Sequence, residues 1–343
     1  MLRSSLADWL TSVWYAPSKP PAWLRALVPM YRYLRAKQIT KARGMRDQRP
    51  NVPVIVVGNL VVGGSGKTPV VACVVAACLD AGYRVAVISR GYGGAGRSAN
   101  QRDIVLVRPN SDPKEVGDEP VLLAKQTGVD VWVGRDRQLA VARAVAAGAE
   151  VVVSDDGLQH HTLQSSYTMC LIDGERGFGN GYLLPAGPLR EPIDRLNSVD
   201  QILIKSGNFR LGQPHSRFEL SPKHLVRVVD GEHIDLNGLE GQAVVGLCAI
   251  AHPEGFCQTL KTLGMTVSLR AWPDHHVFSI DDLTRAHQSK PMVVTQKDWV
   301  KIERLALPDE LKGHLYVLQV EAQLDPAVLD AVVGHVREFI HHG

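Results

Sequence analysis

The sequence predicts an α/β protein: a doubly wound, largely parallel sheet, a second, smaller α/β domain after it, and an amphipathic helical arm before it. Three observations carry this. Short β-branched apolar runs alternate with helical stretches through the first two-thirds of the chain. A glycine-rich turn joins the first of those runs to the first long helix of the sheet-forming region. The 343 residues are 45% hydrophobic and 21% charged, the balance of a globular chain long enough for two domains.

The arm is residues 1–35. Leu6, Trp9, Leu10, Val13 and Trp14 fall at helical spacing. Pro20 and Pro21 open a second helix, with apolar positions at Trp23, Leu27, Met30, Tyr31 and Leu34 and with Pro29 as a kink point. The first 50 residues hold ten Lys and Arg against Asp8 and Asp47, while the remainder holds 28 basic against 33 acidic residues. A net charge of +3 thus conceals a basic arm on an acidic body. With no apolar run of 18 residues, a spanning helix is not expected, and Asp8 and the prolines break any signal-peptide core. Tryptophan, tyrosine and arginine together suit helices lying in an anionic membrane surface; packing onto the protein's own core is the plainer alternative. The five cysteines are scattered and odd in number, which argues for a reducing compartment and against structural zinc.

Asn51–Gly58 reads as a buried parallel strand. Gly63-Gly64-Ser65-Gly66-Lys67-Thr68 follows it, and an apolar helix over Val70–Leu79 follows that. This is the context of a phosphate-cradling loop. Its glycines turn backbone N–H groups inward, Lys67 reaches the β/γ-phosphates of a nucleoside triphosphate, and the Thr68 hydroxyl binds Mg²⁺. Pro69 is harmless in the first helical turn. Val61 stands where the usual pattern has its first glycine.

Further strands are expected at Arg84–Ser89, Asp103–Val107, Val131–Gly134, Glu150–Ser154, Tyr167–Asp173 and Gln201–Lys205, with helices at Glu119–Gln126 and Gln138–Ala147. Ligands in such sheets bind at the carboxyl ends of strands, so polar residues ending strands are the candidates. Asp155-Asp156 ends one, and either carboxylate can hold the metal. Gln159-His160-His161 follows. Ser89-Arg90-Gly91-Tyr92-Gly93 ends another, with an arginine for an anionic ligand or a plain loop. Asp118 and Glu119 either cap a helix or place Asp118 as a base near the γ-phosphate. Leu183–Glu191 is a Pro/Gly-rich loop, in which Arg190 either stabilises a transferring phosphoryl group or is simply solvated.

Residues 36–207 are taken as the nucleotide domain, 208–240 as a linker or small hairpin with a weak strand at Leu225–Val229, and 241–343 as the smaller domain. The last has strands at Ala243–Ala249, Met265–Arg270, Met292–Thr295 and Leu315–Val320. Its helices are at Pro253–Leu263 and Pro326–Ile340, the latter able to pack back on the nucleotide domain. Thr295-Gln296-Lys297-Asp298 loosely matches a guanine-reading element, but its lysine is one place late and it lies too far from the glycine loop. It reads as a chance match with a role at the domain interface.

These motifs together resemble the tetraacyldisaccharide 4′-kinase family, the lipid A 4′-kinases of Gram-negative bacteria. The resemblance rests on Val57–Pro69, Ser89–Gly93, Gly117–Pro120, Ser154–His160, Leu184–Glu191, Asp274-His275 and Thr295–Asp298. In that family the position of Val61 is not glycine. The resemblance implies transfer of the ATP γ-phosphate to the 4′-hydroxyl of a tetraacylated glucosamine disaccharide 1-phosphate, with Mg²⁺. It implies Asp118 as general base with His275 as partner (His276 is adjacent), Lys67 and Arg190 as further catalytic residues, and Gly63–Thr68 around the nucleotide. Thr68, Asp155, Asp156 and Glu191 would be the metal-site residues. It also implies a peripheral enzyme on the cytoplasmic face of the inner membrane, with a lipid A disaccharide precursor as partner and neither nucleic acid nor protein. A partitioning ATPase is the main rival, but such proteins often carry a lysine where this chain has Val62. A membrane-surface GTPase is the other.

Overall fold

The computed structural model describes residues 2–43, 50–91 and 104–342. Tyr92 and Gly93 of the Ser89–Gly93 motif, Asp103, and Arg46, Asp47 and Arg49 of the basic arm lie outside them. Two helices lead, α1 (Leu2–Tyr15) and α2 (Ala22–Arg43). Then come β1 (Val54–Asn59), α3 (Lys67–Asp80), β2 (Val85–Ser89), β3 (Val105–Val107), α4 (Pro113–Val116), α5 (Asp118–Thr127), β4 (Asp130–Val133), α6 (Arg137–Ala146), β5 (Val151–Asp155), β6 (Tyr167–Ile172) and β7 (Gln201–Lys205). The second half holds β8 (Ser216–Arg227), β9 (His233–Ile234), β10 (Ala243–Cys248), α7 (Pro253–Thr262), β11 (Thr266–Ala271), α8 (Ile280–Ala286), β12 (Met292–Thr295), α9 (Gln296–Ile302), α10 (Asp309–Gly313), β13 (Leu315–Leu324) and α11 (Pro326–His342).

The described strands form one sheet in the order β11-β10-β12-β13-β8-β7-β6-β1-β5-β2-β4-β3, with β9 beside β8. Pairing is parallel except for β3 with β4, β13 with β8 and β9 with β8. Every residue of β1, β2, β5 and β6 is buried, as strands covered on both faces require. One core layer lies under α3, α5 and α11, the other under α2, α6 and the 178–196 segment. Helix α3 carries Val70, Val71, Val74, Val75 and Cys78 into the first layer. It is apolar on nearly all sides because α11 and α5 cover what the sheet does not. The C-terminal helix thus does pack back on the nucleotide half.

The 208–240 segment holds more structure than a linker. It contains the 12-residue β8, whose first residues pair with β7 in parallel and whose later ones pair with β13 antiparallel. The sheet therefore runs unbroken from one half to the other. β8 hides in the sequence because it is only partly buried and carries Pro222 and Lys223 mid-strand. The register shifts between Gln319 and Val320, opposite this stretch, an irregularity of the kind that admits a proline.

Pro29 lies inside α2 without ending it, and the helix runs to Arg43 rather than to 35. The inner face of α2 is Leu24 and Val28, not the row Trp23, Leu27, Met30, Leu34. That row is exposed, Trp23 at 58% and Met30 at 57%. Trp9 of α1 stacks on Trp23, ring centroids 5.9 Å apart. Tyr31 turns inward instead, giving its hydroxyl to the Arg190 carbonyl at 3.0 Å. No described helix is long and apolar enough to cross a membrane.

Candidate active site

The glycine loop leaves β1 at its carboxyl end. Gly63 (φ 112°) and Gly66 (φ 82°) hold conformations that side chains disfavour. Gly66 also has Leu220 close enough that a Cβ would meet its Cδ1 at 3.1 Å. Val61 needs no glycine, because it is an extended residue in an antiparallel bridge to Leu189. Val62 N–H donates to Pro188 O (2.9 Å) and Arg190 N–H to Leu60 O (2.7 Å). The 183–191 loop is thereby laced to the start of the glycine loop. Ser65 Oγ is buried with no hydrogen-bond partner among the described residues.

Asn59 joins these parts. It is the last residue of β1 and fully buried. Its Oδ1 accepts from Lys67 Nζ at 3.3 Å and from Arg190 Nη2, and its carbonyl accepts from Gln159 Nε2 at 2.9 Å. Sequence reasoning assigned Asn59 no role, yet a polar residue ending a buried strand was the signal that singled out Asp155.

Asp156 sits in the left-handed region at φ 51°, a strained setting for a non-glycine residue. There it takes a two-pronged pair from Arg190, with Nη1 to Oδ2 at 2.9 Å and Nη2 to Oδ1 at 2.8 Å. Lys67 Nζ lies 3.7 Å away. Burial raises its pKa, but Lys67 and Arg190 outweigh burial and hold the carboxyl below its ordinary range. Asp155 is the opposite case. Burial, with Glu119 and Asp156 adding, raises its pKa. Its Oδ2 accepts from Ser89 Oγ at 3.4 Å, while Oδ1 is buried with no hydrogen-bond partner among the described residues. That open oxygen fits a hard cation. Among the described residues no three His, Cys, Asp or Glu side chains converge as a protein-only cage, and Mg²⁺ in phosphate sites draws much of its shell from phosphate and water.

Glu191, expected as a metal-site residue, lies against the N-terminal arm. Its buried carboxylate is taken by Arg35 of α2, through Nε at 3.0 Å and through Nη2, and by His161 Nε2 at 3.4 Å. Through these contacts Glu191 ties the N-terminal arm to the loop that bears Arg190.

Arg137, at the start of α6, was also missed. It is 1% exposed and donates Nη2 to the Asp155 carbonyl at 3.2 Å, but Nε and Nη1 have no hydrogen-bond partner among the described residues. Burial pulls its pKa down to about 10 against the pull of Asp155 and Asp156. His160 is pulled down to about 3 by burial and by Arg137 and Arg90, so its ring is neutral at neutral pH.

Asp118 opens α5 and is 5% exposed. Its Oδ2 lies 3.2 Å from His275 Nδ1, across 157 residues of sequence. His275, not His276, is the partner. His276 points to Asp282 at 3.2 Å and stacks on Trp272. His275 is at φ 63°, another strained residue in the site. Burial raises the Asp118 pKa, but the His275 hydrogen bond, Lys297 and Lys301 together bring it below the ordinary value. The same bond raises the His275 pKa, opposed by burial and Lys297. Glu119, the residue beside Asp118, adds to the rise in the Asp155 pKa, which links the Asp–His pair electrostatically to the Asp155-Asp156 end of β5.

Comparison with known proteins identifies the family. The family model described as tetraacyldisaccharide-1-P 4′-kinase matches residues 21–337. A tetraacyldisaccharide 4′-kinase of Alkalilimnicola ehrlichii is 43% identical over 316 residues, covering 90% of this chain and 92% of that one. One of Halorhodospira halophila is 41% identical, covering 94% and 99%. The crystal structure of LpxK from Aquifex aeolicus in complex with ATP superposes with a TM-score of 0.69 at 26% identity, covering 92% of this chain and 99% of that one. The chain belongs to the tetraacyldisaccharide-1-P 4′-kinase family, the ATP-using kinases of lipid A biosynthesis.

Proposed function

We propose that this chain transfers the γ-phosphate of ATP to the 4′-hydroxyl of a tetraacylated glucosamine disaccharide 1-phosphate, with Asp118 as the general base. The observation that carries the assignment is the Asp118–His275 pair at 3.2 Å, formed beside a phosphate loop. A sugar hydroxyl is a weak nucleophile, and a carboxylate that accepts its proton during transfer contributes about 10²–10⁴-fold. The depressed pKa of Asp118 keeps it ionised at neutral pH. His275 orients the carboxylate and supports its charge.

Gly63–Thr68 and Lys67 bind the triphosphate. Thr68 and Asp155 would hold Mg²⁺, which when bound neutralises charge on the phosphate oxygens. Asp156 keeps Lys67 and Arg190 fixed beside the loop. Arginine gives this clamp two parallel hydrogen bonds, which a lysine could not. The unpartnered N–H groups of Arg137 suit an anion near Asp155.

We further infer that the arm rests on an anionic membrane. Leu6, Trp9, Trp23, Leu27, Met30 and Leu34 form an exposed apolar row on α1 and α2, larger than scattered surface residues require. Fully burying an exposed apolar side chain is worth about 1.5–3 kcal/mol; these are about half exposed, so each has about half of that to gain, comparable to the ~1 kcal/mol that each basic residue near the leaflet adds. Apolar insertion and charge act together. Because Tyr31 and Arg35 of α2 hold Arg190 and Glu191, the same helix that meets the lipid positions the catalytic loop. The reading is tested by following labelled γ-phosphate from ATP into the disaccharide 1-phosphate and mapping the new ester to the 4′ position. Label appearing only as inorganic phosphate would defeat it.

A further inference from the structure

Thr295-Gln296-Lys297-Asp298 has no part in nucleotide recognition in the account above, yet the structure gives each end of it a definite task. Thr295 caps α9, its Oγ1 accepting from Asp298 N–H at 3.1 Å. Asp298 is buried, and its Oδ2 accepts from Thr295 Oγ1 at 2.7 Å and from Ala249 N–H, just past β10, at 3.0 Å. The first turn of α9 is therefore fixed to the carboxyl ends of β10 and β12. Lys297, held in that turn, reaches out of the second half of the chain. Its Nζ lies 2.9 Å from Glu119 Oε1 and 3.5 Å from Asp274 Oδ1.

Those two carboxylates are the sequence neighbours of the catalytic pair. Glu119 follows Asp118 in the first turn of α5, where the Glu119 N–H donates to Asp118 Oδ1 at 3.0 Å. Asp274 precedes His275, accepts the His275 N–H at 3.1 Å and lies 3.6 Å from its Nε2. One ammonium thus ties both flanks of the pair. It also changes the local charge. Asp118, Glu119 and Asp274 bring three negative charges beside a site that binds a polyphosphate, and His275 alone would offset one of them. Charge-assisted contacts to a mostly buried lysine are screened less than surface pairs.

We propose that Lys297 is a positioning residue for phosphoryl transfer, bridging Glu119 and Asp274 so that Asp118 and His275 are held together at the reacting hydroxyl. This rests on Asp118 being the base. Lys297 touches neither substrate nor nucleotide and acts through the pair. A misplacement on the order of 1 Å costs about 10²-fold in rate, and that is the loss expected on removing the bridge.

The test is a double-mutant cycle on the full-length enzyme, with steady-state turnover against ATP and the disaccharide 1-phosphate. Lys297→Met is expected to lower kcat about 10²-fold while changing KM for ATP far less, and Lys297→Arg, which can span both carboxylates, to recover most of the loss. Combined with His275→Ala, Lys297→Met should cost little beyond the single histidine change, because residues acting as one unit are not additive. Should Lys297→Met not fold, Glu119→Gln removes the shorter contact from the other side and carries the same expectation in the same cycle. Losses that multiply in full, a loss shared equally by kcat and KM, or turnover unchanged by Lys297→Met would each overturn the proposal. Asp118→Asn separates the two readings. If it turns over normally, the base assignment itself falls; if it is slow while Lys297→Met is uncoupled, only the bridge does.

Discussion

His275 Nδ1 stands 3.2 Å from Asp118 Oδ2, and the two residues come from opposite halves of the chain. The contact is made because α9 packs along α5 and the 272–277 loop ends above the first turn of α5. Asp118→Ala should therefore lower kcat by about 10²–10⁴-fold and leave ATP affinity close to that of the native enzyme. Turnover and a nucleotide-binding titration on the same preparation check this, and a matched loss in both would count against the base role.

The pair also sets a pH dependence. Asp118 titrates below its ordinary value, so its contribution is present above the ordinary carboxylate range and is lost as pH falls through the lowered value. His275 titrates above 6.5, so the cationic partner is present below that pH and is lost as pH rises through the raised value. In His275→Ala the largest influence lowering Asp118 is gone while burial still raises it. The acid limb of the kcat profile should move to higher pH. An acid limb that does not move would show that His275 has no hold on the carboxylate.

Asp155 and Asp156 should respond differently to amidation. Asp155→Asn removes the carboxylate charge behind the oxygen left open among the described residues, so activity should require a much higher Mg²⁺ concentration. Asp156→Asn breaks the Arg190 clamp, so ATP affinity should fall with little change in the Mg²⁺ requirement. Mg²⁺ titrations of turnover at saturating ATP distinguish the two; a reversed pattern would exchange the roles.

Deleting the arm is a poor test of membrane binding, because Tyr31 and Arg35 also hold the loop that bears Arg190 and Glu191. Replacing the exposed Trp23, Leu27 and Met30 by Ser leaves Leu24 and Val28 in the core. That variant should lose sedimentation with anionic vesicles while keeping its ATP affinity. Undiminished sedimentation would mean that this face is not the contact.

What the sequence revealed and what it hid follow a physical division. β1, the glycine loop, α3 and the Asp155-Asp156 strand end are local patterns, readable from periodicity and turn chemistry. Asp118 with His275 was reachable only through the family resemblance, since 157 residues separate them. Lys297 with Glu119, 178 residues apart, and Arg35 with Glu191, 156 apart, left no local trace at all. The role of Glu191 in holding the arm was hidden for that reason: nothing near it in sequence shows Arg35. The arm's periodicity was legible, but which of two adjacent rows on α2 faced inward depended on the loop it packs against.

The most direct test of the account is transfer of labelled γ-phosphate from ATP to tetraacyldisaccharide 1-phosphate by the native enzyme and by Asp118→Ala in parallel. The account predicts a 4′-phosphorylated product from the native enzyme and almost none from the variant, with both binding ATP alike. Equal product from the two, or no lipid product from either, would contradict it.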